Sequence, residues 1–136
     1  MGALLAWADA PESCQLVEPC LVEARETPLR SLAERRERRF TAWRGRSGRR
    51  YVASIFGAAD DAALTFADAL LIAVSADRRV LAVRESGPFS VEAASNRWRD
   101  AAIAAGAAEI HVHLLAETAE ARRAALADLT PVLACV

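Results

Sequence analysis

From Arg39 to Glu85 the chain falls into short apolar stretches bounded by turn residues, a pattern that favours strands over long helices. Arg39–Arg44 and Arg49–Phe56 flank Arg46-Ser47-Gly48, and Gly48 supplies the positive φ that a hairpin turn needs. A two-residue Ser47-Gly48 loop would pair residue i with residue 95 − i. Phe40, Ala42, Ala53 and Ile55 then share one face, with Arg44, Arg46, Arg49 and Tyr51 continuing it towards the turn. Trp43, Val52 and Phe56 take the other face, and a slip of one residue exchanges the two sets.

Asp60 is placed to cap a short helix reaching about residue 67, although 61–74 also reads as one longer helix. Ala69–Ser75 and Val80–Glu85 predict a second hairpin around Ala76-Asp77-Arg78-Arg79. Ser90 caps a helix over Val91–Ala105, with Val91, Ala94, Trp98, Ala102 and Ala105 on its inner stripe and Gly106 ending it. Glu109–Leu115 is a strand, and Thr118 opens a last helix that runs to about Leu129 before Pro131. The order β-β-β-β-α-β-α, with parallel strands either side of the first long helix, predicts an α+β fold. Its sheet is mixed but mainly antiparallel, and two helices are expected on one face.

Residues 1–37 differ from the rest, since Pro11, Pro19 and Pro28 interrupt them and residues 1–29 hold five acids against Arg25 alone. They predict an acidic, weakly ordered leader before a single domain over 38–136, with a capping box at Ser31–Glu34 marking a short helix over about 32–38. Three cysteines and no Cys-x-x-Cys pair argue for a reducing compartment. The apolar stretches at 3–8 and 67–76 are too short for a signal peptide or a membrane span, so a cytoplasmic location is expected.

Nine of the seventeen arginines lie between Arg30 and Arg50 beside two acids, a local charge of 9 − 2 = +7, while the other 115 residues carry 8 − 16 = −8. With no lysine in the chain, coding bias accounts for the choice of Arg but not for the clustering. The leading expectation is a small non-catalytic interaction domain whose contact surface is the Arg-rich hairpin: Arg44, Arg46, Arg49, Arg50 and Trp43. The partner would be an acidic protein, the chain's own acidic leader or a second copy. Nucleic acid or a phosphorylated ligand is the alternative, with Trp43 and Tyr51 adding stacking surface.

His111 and His113, two apart on a strand, project to one face as a metal or phosphate site requires. Ile110-His-Val-His-Leu-Leu115 resembles part of the histidine-triad nucleotide hydrolase motif. The resemblance covers six residues, places Leu115 where the third histidine stands, and implies a phosphate- or metal-dependent hydrolase working through His111 and His113. Asp60-Asp61, Asp100 and Glu109 form no recognisable acid/base pair, the glycines form no phosphate loop, and no cofactor or metal is expected.

Overall fold

The computed structural model describes residues 20–28, 39–87 and 92–134. It is an α+β fold built on a six-stranded antiparallel sheet. Its strands in chain order are β2 (Arg25–Pro28), β3 (Phe40–Arg44), β4 (Arg50–Gly57), β5 (Ala69–Ser75), β6 (Val80–Ser86) and β7 (Ala107–His113). They lie side by side as β2-β3-β4-β7-β5-β6. A separate two-stranded ribbon pairs β1 (Cys20–Val22) with β8 (Val132–Ala134). The helices are α1 (Glu92–Ala104) and α2 (Ala119–Leu129), and a short 3₁₀ turn covers Asp61–Thr65. Among the described residues no helix is long and apolar enough to cross a membrane.

Several expectations hold. The β5–β6 hairpin turns where the sequence places it, Asp60 caps the 3₁₀ turn by accepting from Ala62 N at 2.9 Å, and Thr118 caps α2 by accepting from Ala121 N at 3.0 Å. Gly106, at φ +108°, closes α1. β6 and β7 do run parallel, but β5 lies between them, so every bonded pair in the sheet is antiparallel and the sheet is not mixed. Residues 20–28, read as irregular leader, instead form strands, and β2 is an integral part of the main sheet. The helix read over 32–38, the Ser90 cap and Val91 lie outside the described residues.

The two helices do not share a face, which corrects the expectation. Leu70, Ile72 and Val74 of β5 join Trp43, Tyr51, Ala125 and Leu129 in one core cluster, beneath α2. Ala69 and Leu71 point the other way, with Ile110, Val112 and the partly buried Trp98 of α1. The reason lies in β5 itself: six of its seven residues are buried, and a strand buried on both faces needs cover on both. Within α1, Ser95 and Ala102 are buried, while Ala105 lies just past its end and is exposed, so the inner stripe is shorter than its spacing predicts.

The register of the first hairpin is also corrected. Arg44 faces Arg50 and Trp43 faces Tyr51, so residue i meets residue 94 − i. Gly45 N donates to Arg49 O at 2.8 Å and Gly48 N to Gly45 O at 2.9 Å, which makes a three-residue loop with Gly48 left-handed at φ +91°. The extra loop residue shifts β4 by one residue against β3, so each β3 residue meets the other set of β4 side chains from the one expected. Thr41, Trp43, Tyr51 and Ala53 turn inward beneath α2, while Arg44, Arg50, Val52 and Phe56 turn to the opposite, outer face.

The loop is seated on the end of α2. Asp128 accepts from Ser47 N and Ser47 Oγ, both at 2.7 Å, and from Tyr51 Oη at 2.9 Å. Arg46 N donates to Asp128 O at 3.1 Å, and the Arg46 guanidinium donates to the Ala127 carbonyl, satisfying carbonyls that the last helical turn leaves open. A Cβ at 45 would lie 2.1 Å from Asp128 Oδ2, so any other residue there would displace this carboxylate from its hydrogen bonds.

Candidate anion-binding face

Pairing across the edge of the sheet sets Arg25 of β2 opposite Arg44 of β3, and Arg44 opposite Arg50 of β4. Directly paired residues point to the same face, so three arginines form one row across three adjacent strands, roughly 5 Å from strand to strand. All three are exposed. Among the described residues none of them meets a carboxylate within ion-pair distance, and Arg44 donates only to Gly48 O at 2.8 Å. Arg49, exposed in the turn, lies near Tyr51 and is not part of the row. Four arginines elsewhere meet carboxylates: Arg78 meets Glu26 and Glu109, Arg79 meets Glu23, Arg99 meets Asp61, and Arg122 meets Glu85 and Asp68, whereas Arg84, Arg97 and Arg123, like the row, meet none among the described residues.

Of the residues expected at the contact surface, Arg44, Arg49 and Arg50 are exposed and Arg46 is turned onto α2. Trp43 is fully buried and offers no stacking surface, since it points to the face that α2 covers. Arg25 is the residue that sequence reasoning misses. It stands alone among acids, and only the β2–β3 pairing brings it into the row. Among the described residues of the leader, Glu23 and Glu26 engage arginines, on the β5–β6 turn.

The histidines share a face as their spacing requires, and that face is the inner one. Trp43 Nε1 donates to His111 Nδ1 at 2.8 Å. Indole nitrogen can only donate, so Nδ1 must accept and Nε2 carries the proton, which it donates to Glu109 Oε1 at 2.8 Å. Both ring nitrogens are thus engaged, and His111 is fully buried. Burial holds its pKa below the usual imidazole range, although Glu109 partly offsets this. Burial pushes the Glu109 carboxyl up, but hydrogen bonds from His111 and Arg78 outweigh it and leave the group below its ordinary value. His113 Nδ1 donates to the Val52 carbonyl at 2.7 Å and meets the Tyr51 ring edge-on. β7 ends at His113, so Leu115 lies beyond the strand and is 69% exposed. Among the described residues no group of three His, Cys, Asp or Glu side chains could hold a metal ion.

The polar chain continues inward from Glu109. Arg78 donates to Glu109 Oε1 at 2.7 Å and to both oxygens of Glu26, at 2.8 and 2.7 Å, and Glu26 accepts from Thr41 Oγ1 at 2.7 Å. Glu26 belongs to one edge of the sheet and Arg78 to the turn at the other, so the sheet is curled enough to bring its edges together.

Comparison with known proteins finds no family model, no curated protein and no solved structure that matches the chain.

Proposed function

We propose that the protein is a small binding domain that grips an acidic protein segment through the Arg25–Arg44–Arg50 row. The supporting observation is the row itself: three exposed guanidinium groups held in register without a carboxylate partner among the described residues. Like charges directly opposite one another on a sheet are destabilising, and a bound anion relieves that repulsion. Carboxylates suit the planar fork of arginine, which accepts them bidentately. Nucleic acid fits less well, because the buried Trp43 cannot stack on bases.

The test is fluorescence titration with a labelled poly-glutamate peptide and with short single- and double-stranded DNA, each from about 50 to about 200 mM salt. The reading expects peptide binding that weakens with salt and disappears in an Arg25→Gln/Arg44→Gln/Arg50→Gln variant. Tighter binding of DNA would transfer the row to nucleic acid. No binding of any probe at the low-salt end would remove the reading.

A further inference from the structure

We propose that Arg78 is a positioning residue for this site: the β5–β6 turn clamps β2 onto the sheet and thereby decides whether the row has its third cation. The inference rests on the anion-binding reading of the row.

β2 is four residues long, lies at the sheet edge and is hydrogen-bonded to β3 alone within that sheet. So short an edge strand has little backbone pairing to hold it. Its side chains supply the hold. Glu26 pairs with Trp43 in register and therefore points inward, where its carboxylate, 6% exposed, takes a two-pronged grip from Arg78. Arg79 adds a second point by donating to Glu23 Oε2 at 2.9 Å, just before the strand. Arg25 is the neighbour of Glu26 and so points outward into the row. One peptide unit joins the clamp on the inner face to the cation on the outer face.

The clamp is also tied to the middle of the sheet. Arg78 shares Glu109 Oε1 with His111 Nε2, and both Glu109 and His111 belong to β7, three strands along the sheet from the β2 edge. The backbone at this position shows that the side chain is what matters there. The β5–β6 turn repeats the bonding of the first hairpin, with Ser75 N donating to Arg79 O at 2.9 Å and Arg78 N to Ser75 O at 3.0 Å. Its left-handed position, occupied by Gly48 in the first turn, is filled here by Arg78 at φ +66°, where a non-glycine residue is uncommon and strained. Glycine would suit the turn better and would lose the clamp.

That contrast supplies the test. Arg78→Gly removes the guanidinium while easing the turn, so loss of folding is not its expected effect. Two quantities are measured in the full chain: amide hydrogen exchange, and binding of the labelled poly-glutamate peptide in a cycle with Arg25→Gln. The expected result is that the β2–β3 amides exchange about ten- to a hundredfold faster, the change that losing a charge-assisted hydrogen-bonded pair brings to a local opening, while β4–β7 stays protected. Peptide binding should fall by the same factor in Arg78→Gly and in Arg25→Gln, with no further loss in the double variant. Unchanged protection of β2 would overturn the clamp whatever the peptide does. Additive losses in the double variant would overturn it too, since Arg78 would then act other than through Arg25. If Arg25→Gln alone leaves peptide binding intact, the three-cation site is at fault, and the exchange data still judge the clamp separately.

Discussion

Arg44, the middle of the row, should be worth more to binding than to folding, and the two effects should have opposite signs. It faces Arg25 on one side and Arg50 on the other. If exposed guanidinium groups on paired strands splay to about 6 Å, Coulomb repulsion in water is about 0.7 kcal/mol per pair, or about 1.4 kcal/mol for both. Screening at physiological salt, where the Debye length is about 8 Å, cuts this to about 0.7 kcal/mol, and at about 1 M salt to about 0.2 kcal/mol. Arg44→Gln removes both repulsions and keeps an amide donor for the exposed bond to Gly48 O. Urea denaturation should therefore show the variant more stable by about 0.7 kcal/mol at physiological salt, with an unchanged m-value and a gain that grows as salt is lowered. Its affinity for the poly-glutamate peptide should fall. Stability gained where binding is lost is the usual mark of a site held against its own repulsion. A variant less stable than the parent at every salt concentration would refute the reasoning. So would a gain that ignores salt, which would reflect strand propensity and not charge.

Two further outcomes follow from the groups under α2. Burial, then the hydrogen bond and charge of Asp128, push the Tyr51 phenol up to about 12, and Tyr51 is the only tyrosine, so a spectrophotometric titration reads it directly. Since its folded value exceeds the unfolded value near 10, its contribution to stability is whole below pH of about 10 and is lost as pH rises towards about 12; Asp128→Asn should bring the midpoint down. His111 has the opposite sign: its folded pKa is depressed, so its contribution is whole above the unfolded value of about 6.5 and is lost as pH falls below it. Trp43→Phe should cost about 1–3 kcal/mol by leaving Nδ1 without its donor, and should raise the His111 midpoint in an NMR titration; an unmoved midpoint would mean that the indole does not fix the tautomer.

What the sequence disclosed depended on how local the deciding physics was. The β5–β6 hairpin was legible because its turn residues and both apolar runs are contiguous. The Asp60 and Thr118 caps were legible for the same reason. The register of the first hairpin was not, because Gly48 serves a two-residue and a three-residue loop equally well, and the choice flips every β4 side chain relative to β3. Trp43 lies on the face opposite Arg44 in either register, and its place in the core follows from α2 covering that face. The division of the helices between two faces was in principle readable, since the unbroken apolar run of β5 has no polar face to leave uncovered. Arg25 was beyond local reading. Its place depends on β2 pairing with a strand on the far side of residues 29–39, and a four-residue strand that includes Pro28 carries almost no signal of its own.

The arrangement of the arginines carries the functional argument further than their number does. A chain without lysine must use arginine for every cation, so composition alone would scatter guanidinium groups wherever a solvated charge is tolerated. The structure sorts several of them instead, although Arg84, Arg97 and Arg123 meet no carboxylate among the described residues. Arg78, Arg79, Arg99 and Arg122 each meet carboxylates and tie one element to another. Arg46 meets backbone carbonyls at the end of α2, where a cation is favoured. Arg25, Arg44 and Arg50 face one another across three strands, the placement that electrostatics disfavours most for exposed side chains on a sheet. Acidic residues were available to pair with them, since the chain has 18, and two of these, Glu23 and Glu26, sit within three residues of Arg25 yet are directed to the opposite turn. Carboxylates that hold β2 in place while its neighbouring cation is left open fit the proposed binding of an external anion.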